Sequence, residues 1–530
     1  MQRSPLARHL LRPLLLSFAL TFAALTALGM IQSLGGGTAF AQAPTPAPIT
    51  LSDAAHDTTL LQRLGSLVGL VGLMGIAWLM STDRRRISWR VVGIGTAIQL
   101  VFATLILVFP FGRPLFQAAT EAFNRLLQFT NAGSSLLFGN NETFLATFVF
   151  GILPTVIFFS SLMSVLYHVG IMQRIVSVIA LLMQRTMRTS GSETLSAAAN
   201  IFVGQTEAPL MIKPFVADMT RSELMAVMTG GFATVAGGVM AAYIGFLSPY
   251  FPDIAGHLLA ASVMSAPAAL VIAKIMHPET EVSKTANAVQ VEIERVDANV
   301  IDAAARGASE GMTLALNIAA MLLAFVALIA LLNYCIALPS YIQHGSALNT
   351  LASAIHDAGI EWPEALAARC DSTVVRVPSE MRAPCIDELR ATLFVDVAPP
   401  SVEVWSVMRL EVLFGVVFWP IALLMGVPVA DCYTIAQLLG TKMVVNEFVA
   451  YLDLSQLLQN PEHGLHPRSI TIATYALCGF ANFSSIAIQI GGIGGIAPTR
   501  RRDLAQLGVR AMIGGSLAAF MTATIAGMLL

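Results

Sequence analysis

The chain has 530 residues, of which 56% are hydrophobic and only 12% charged, with a mean hydropathy of +0.72. A soluble protein of this length carries about 25% charged residues, so the composition excludes one and points to a polytopic membrane protein. The formal net charge of −2 leaves no basic face for nucleic acid, and five cysteines without CxxC or Cys/His spacing argue against zinc and iron–sulfur centres.

Arg3, Arg8 and Arg12 precede an apolar run from Leu14 to Ile31, and Ala39-Phe40-Ala41 follows. A basic start, an apolar middle and an A-x-A end predict a cleaved signal peptide over 1–41, with an uncleaved extra span as the alternative. A linker over 42–62 would then lie in the periplasm. Runs over 64–81 and 91–112 are long enough to span. Arg84, Arg85, Arg86 and Arg90 between them hold that loop in the cytoplasm, so the N-terminus lies outside. Residues 113–140 and 170–190 mix arginines into a helical apolar pattern and predict interfacial helices. Residues 144–167 span inward.

The stretch Asn200-Ile201-Phe202-Val203-Gly204-Gln205-Thr206-Glu207-Ala208-Pro209 puts a carboxylate, amides and a proline into apolar sequence. Neither flank is a full span, so a re-entrant hairpin from the cytoplasm is predicted. Residues 223–247 run outward through Gly230-Gly231-Phe232-Ala233-Thr234-Val235-Ala236-Gly237-Gly238, whose four glycines weaken the helix locally. Residues 254–276 return, 277–311 connect in the cytoplasm, and 312–336 run outward. Residues 337–401 form a soluble-looking insertion. It carries four arginines against three basic residues in 277–311, which runs against this topology, but long loops are discounted in that count. In the periplasm, Cys370 and Cys385 would make a disulfide plausible.

Residues 402–424 read as a third interfacial helix. Residues 426–453 contain Asn446-Glu447-Phe448-Val449-Ala450-Tyr451 and predict a second hairpin, entering from outside. Residues 469–495 span inward to Arg500, Arg501 and Arg502, and 510–530 span outward. Gly231-Phe232-Ala233-Thr234 is echoed by Gly479-Phe480-Ala481-Asn482, each following a Glu-bearing hairpin of opposite entry. The fold class is therefore an all-α polytopic membrane protein with about eight transmembrane helices, two re-entrant hairpins, interfacial helices and an inverted repeat. The scaffold covers 63–190, the first transport repeat 191–336, the insertion 337–401 and the second repeat 402–530.

Ionisable groups inside a membrane mark ligand or ion pathways by default, so Glu207 and Glu447 lead the candidates, read here as equivalent positions of the repeat. An ionised carboxylate accepts hydrogen bonds only, which suits a polyhydroxylated ligand. Gln205 and Asn482 offer donors and acceptors for a base edge or ribose. Phe480 can wall a ring, while Thr206, Ser484 and Ser485 add hydroxyls; for Ser484, helix packing is the better reading. Unwound backbone over Val203–Thr206 with a break near Thr234 would give a cation carbonyl and hydroxyl ligands. Tyr451 and Trp405 read as interface anchors; His168, His257 and His277 read as interface or packing residues.

These motifs resemble the concentrative nucleoside transporters. The resemblance rests on Gly204-Gln205-Thr206-Glu207-Ala208-Pro209-Leu210, on the Asn446–Tyr451 stretch, and on Cys478-Gly479-Phe480-Ala481-Asn482-Phe483-Ser484-Ser485-Ile486, with Gly491-Gly492-Ile493-Gly494-Gly495 beyond. It covers roughly 60–335 and 402–530. It implies a homotrimer in the bacterial inner membrane that takes nucleosides and uses sodium as coupling ion, with no organic cofactor. It implies that Gln205, Thr206 and Glu207 meet the base with Val239 against its face. Glu447, Asn482 and Ser485 would hold the ribose near Phe480. Asn200, Val203, Thr206, Thr234 and Val235 would bind sodium. Proton-coupled members resemble Gly-Gln-Ser-Glu-Asn at the first motif, which this chain lacks; a proton-coupled symporter remains the alternative. An intramembrane hydrolase using both carboxylates lacks a nucleophile motif, and a nucleoside receptor would depend on the 337–401 loop.

Overall fold

The computed structural model describes residues 60–109, 112–139, 148–285, 297–357, 364–372, 377–378, 381–393, 409–460 and 464–529. The signal peptide, most of the linker and Trp405 lie outside the described residues. Every regular element among the described residues is helical, as the composition and the 3.6-residue patterning require. The chain forms two units, one of Met1–Ala320 with Phe414–Leu530 and one of Met321–Leu413.

In the larger unit, α1 (Leu60–Leu79) and α2 (Trp89–Leu107) are followed by α3 (Gly112–Phe138), the amphipathic helix expected there. A π turn (Phe148–Ile152) opens α4 (Leu153–Val169), which meets α5 (Ile171–Met187) at a 76° bend. The first hairpin is α6 (Gly191–Ala199), an irregular tip, a 3₁₀ turn (Ala208–Ile212) and α7 (Lys213–Val216). Next comes a helix interrupted between α8 (Arg221–Ala233) and α9 (Gly237–Leu247), then α10 (Ile254–Met276). The second repeat, after α14 (Leu410–Leu424), pairs α15 (Cys432–Val444) with α16 (Glu447–Gln459) as a hairpin. It then breaks a span into α17 (Pro467–Leu477) and α18 (Phe483–Ile496) and ends on α19 (Arg501–Leu529). Among the described residues six helices are long and apolar enough to cross a membrane, and α4–α5 makes a seventh. α18 is apolar but shorter, and α17 with α18 stands where the span over 469–495 is expected.

The helices sort by burial. The windows of α8–α9, α10 and α19 are 83–89% buried inside the chain, whereas those of α1 and α2 are 28% and 33% buried. The first group forms the core of the larger unit, and the second lies toward its outside. Helix starts carry their own signals. Thr220 and Glu223 exchange hydrogen bonds (Glu223 N–H to Thr220 Oγ1, 3.1 Å; Thr220 N–H to Glu223 Oε2, 2.8 Å), a capping box that fixes the first turn of α8. Asn446 and Asn482 cap α16 and α18, accepting from the Val449 and Ser485 amides at 2.9 and 2.8 Å. Such caps meet orphan donors that lipid would leave unsatisfied. At the cytoplasmic end of the predicted topology, the base of the first hairpin is tied to the connection behind α10. Lys274 Nζ lies 2.8 Å from Glu193 Oε2 and 3.3 Å from Glu279 Oε2, and the Gly191 amide donates to the Thr285 carbonyl at 2.8 Å. Farther along that connection, the Arg306 guanidinium grips Asp297 at 2.6 Å and holds its carboxyl below the usual carboxylate range.

Two expectations need correction. The insertion does not begin at 337: α11 runs from Val300 to Asp357 through Pro339. One proline removes one amide donor, and Leu348, Leu351 and Ile355, spaced along one face, are buried and carry the helix onward. They form a small core with Leu366 of α12 (Glu364–Cys370) and with Ile386 and Leu389 of α13 (Arg382–Leu393). Cys370 and Cys385 are joined there in a disulfide, with Cα atoms 5.4 Å apart. The second correction is Tyr451. It is fully buried, its ring stacks on Tyr243 at 4.4 Å, and its hydroxyl donates to the Thr474 carbonyl at 2.6 Å. It joins the second hairpin to α9 and α17 and is no interface anchor.

The two helix breaks meet. Gly479 has φ +126°, and a Cβ there would stand 2.7 Å from the Phe232 carbonyl oxygen and 2.9 Å from that of Ala233. Gly479→Ala should therefore cost about 1–3 kcal/mol from backbone strain alone and lower the melting temperature of the purified protein. Gly491→Ala, inside α18 where nothing lies within 4 Å, should not lower it.

Candidate functional site

The breaks expose helix ends, and polar side chains gather on them. Glu447 opens α16 and is buried. Its two carboxylate oxygens each accept a hydrogen bond, one from Tyr243 Oη of α9 at 3.0 Å and one from Asn482 Nδ2 at 2.9 Å. Asn482 uses its other atom, Oδ1, to cap α18 through the Ser485 amide and to accept from Ser484 Oγ at 2.7 Å. Gln205, at the tip of the first hairpin, donates from Nε2 to Ser485 Oγ at 3.0 Å. Gln489, one turn beyond Ser485, donates to Gln205 Oε1 at 3.0 Å and to the Met228 carbonyl at 3.1 Å. Both hairpins and both broken helices thus contribute to one polar chain running Met228–Gln489–Gln205–Ser485–Asn482–Glu447–Tyr243.

Val239 is buried on α9, and Phe480 is half-buried in the second break. Glu207 stands apart from the buried chain. It is exposed, with Thr206 Oγ1 donating to it at 3.0 Å. The two carboxylates occupy matching places in the repeat but different environments: Glu447 is enclosed by donors and Glu207 faces open space.

A second set of groups surrounds the break between α8 and α9. Asn200 is fully buried, and neither its Oδ1 nor its Nδ2 has a hydrogen-bond partner. A Cβ added at Gly230 would lie 3.3 Å from Asn200 Nδ2, and the Gly230 carbonyl accepts from Thr234 Oγ1 at 2.9 Å. Asn200 and Thr234 thus both border Gly230, one on the side its Cβ would take and the other at its carbonyl. Nearby carbonyls of the hairpin tip are already met: Ile201 by Ser262 Oγ at 2.7 Å and Phe202 by the Gly237 amide at 3.0 Å. A buried amide oxygen left unmatched costs about 1–3 kcal/mol, and a hard-oxygen cation would relieve it.

The Na+ dependent nucleoside transporter C-terminal family model matches residues 257–361 and 392–527, its N-terminal counterpart matches 68–141, and a nucleoside-recognition gate model matches 149–250. An uncharacterized transporter of Haemophilus influenzae is 40% identical over 473 residues, covering 88% of this chain and 97% of that protein. The chain belongs to the Na+-dependent nucleoside transporter family. Sodium/nucleoside cotransporter 1 of Mus musculus is 37% identical over 480 residues; the match takes in 88% of this chain and 64% of the mouse protein's length. A solved structure of CNTnw, inward-facing and substrate-bound, superposes with a TM-score of 0.68 at 36% identity, covering 88% of this chain and 97% of that one.

For a nucleoside transporter the polar chain has the right chemistry, since a ribose offers hydroxyl donors and a base offers both kinds of partner. Sequence reading missed three of the groups in or beside it: Tyr243, Gln489 and Lys442, whose buried Nζ donates to the Ala476 carbonyl at 2.8 Å. The signal was present, because each is a polar residue inside an apolar helix, but none lies within the motifs. Glu447→Gln keeps the shape while turning one acceptor into a donor that faces Tyr243 or Asn482. Charged hydrogen bonds are worth ~1.5–3 kcal/mol each, so uridine uptake should fall by more than tenfold at unchanged membrane expression; wild-type affinity for uridine would refute the assignment.

Proposed function

We propose that the chain is a secondary active symporter that imports nucleosides across a bacterial inner membrane, driven by a sodium gradient, and that it works as a homotrimer. The observation that carries this reading is the hydrogen-bonded chain from Gln489 to Tyr243, which gathers both hairpins and both helix breaks around one set of ribose- and base-compatible groups. In this reading Glu447, with lone pairs beyond the two already used, accepts ribose hydroxyls; Asn482 and Ser485 donate to the sugar, with Phe480 beside it. Gln205, Thr206 and Glu207 meet the base, and Val239 lies against its face. Sodium is held by Asn200, Val203, Thr206, Thr234 and Val235. The unmatched Asn200 oxygen and the Thr234 hydroxyl, whose proton is spent on Gly230 and whose lone pairs are therefore directed elsewhere, support that assignment. The domain plan, with a signal peptide over 1–41 and the insertion outside the cell, belongs to the same proposal.

Because Gln205 and Glu207 flank Thr206, an ion on Thr206 orders the base site. Sodium and nucleoside must then raise each other's affinity by the same factor. Thr234→Val keeps the shape and removes the oxygen. It should raise the sodium concentration for half-maximal uptake and weaken nucleoside binding mainly at low sodium. Replacing sodium by choline at fixed pH should abolish wild-type uridine uptake; uptake that ignores sodium and follows an imposed pH gradient would replace sodium by a proton.

Placement of the insertion outside predicts that Cys370 and Cys385 resist alkylation in intact cells until reductant is added. Rapid labelling of both without reductant would reject that placement.

A further inference from the structure

Gln489 occupies a place that no family motif of the sequence reading covers. It is fully buried on α18, and its amide is anchored at a group of known polarity. The Met228 main-chain carbonyl can only accept, and Gln489 Nε2 lies 3.1 Å from it. Turning the amide round would set oxygen against oxygen there. The two hydrogens of Gln489 Nε2 are therefore spent on Met228 and on the facing atom of Gln205, 3.0 Å away, which must be oxygen. Gln205 Nε2 is then turned to the opposite side. One of its hydrogens goes to Ser485 Oγ at 3.0 Å, and the second is left for a ligand. The niche is specific. A Cβ on Gly231 would stand 2.8 Å from Gln489 Nε2 and 2.9 Å from Gln205 Cβ, so the two glutamines meet in space that only glycine leaves. Gln489 Oε1 has no hydrogen-bond partner, so nothing holds the amide in the reverse sense.

We infer that Gln489 is a positioning residue that fixes the polarity of the Gln205 amide, so that the base is met there by an N–H donor. The site thereby selects nucleosides whose base carries a hydrogen-bond acceptor for Gln205, as both pyrimidines and purines do. This rests on Gln205 meeting the base, as in the function proposed above. A side-chain amide free to flip would present oxygen in place of the N–H and lose that selection.

The test compares inhibition of labelled uridine uptake by unlabelled uridine and by phenyl C-riboside, which keeps the sugar and has no donor or acceptor on its ring. In Gln489→Met, uridine should weaken about 3- to 10-fold, the worth of one neutral hydrogen bond. The phenyl riboside should not move, nor should the sodium half-saturation measured at trace uridine, so that the preference between the two ligands narrows. Gly231→Ala, which drives a methyl between the glutamines, should give the same selective loss and serves if Gln489→Met does not fold. In a Gln205→Leu background, Gln489→Met should change neither ligand. Equal weakening of both ligands, or a Gln489 effect that persists in Gln205→Leu, would overturn the inference and leave the base contact standing. A Gln205→Leu protein with wild-type preference for uridine over the phenyl riboside would instead overturn the base contact and this inference with it.

Discussion

Asn482 does two jobs with one side chain, and the site depends on both. Its Oδ1 accepts the Ser485 amide at the opening of α18, and its Nδ2 donates to Glu447. A helix interrupted at membrane depth must find protein partners for the groups it frees, because lipid supplies none. The cap is thus a condition of having a break at all. Once the oxygen is committed to the backbone, the nitrogen has to face the carboxylate. The same rule acts at the other end of the polar chain, where the Met228 carbonyl dictates how Gln489 is turned. Two backbone groups set the direction of every amide between them.

The repeat gives the two halves like parts and unlike tips. In the second half α16 starts directly on Glu447 behind the Asn446 cap, so the carboxylate sits in the first turn and is buried against α9 and α18. In the first half an irregular tip and a 3₁₀ turn containing Pro209 follow α6, and the carboxylate of Glu207 is carried outward. The first tip instead buries Asn200. One hairpin therefore brings a buried carboxylate to the meeting point and the other brings buried amides.

Much of the fold was legible in advance. Apolar runs bounded by arginines marked the spans, and charges on helical spacing marked α3 and α5. Carboxylates stranded in apolar sequence marked the hairpins. Membrane solvation makes these signals strong, since charges and loose backbone are costly there and their exceptions are informative. The insertion was less legible. Its expected start at 337 falls inside α11, because Leu348, Leu351 and Ile355 lie along the face that its core buries.

The sequence by itself determined the class, the two hairpins, the helix breaks and most of the residues that gather at them, because each is written in local composition: a charge, a proline or a glycine cluster where lipid would forbid it. Tertiary structure decided what local composition cannot encode. It placed Tyr243 on Glu447 across 204 residues and Gln489 on Gln205 across 284. It buried Tyr451 where its neighbours in sequence suggested an interface. It also separated Glu447 from Glu207, two carboxylates with the same sequence signature. Hydrogen-bond partners and burial are set by which helices cross, and crossing is a property of the whole chain.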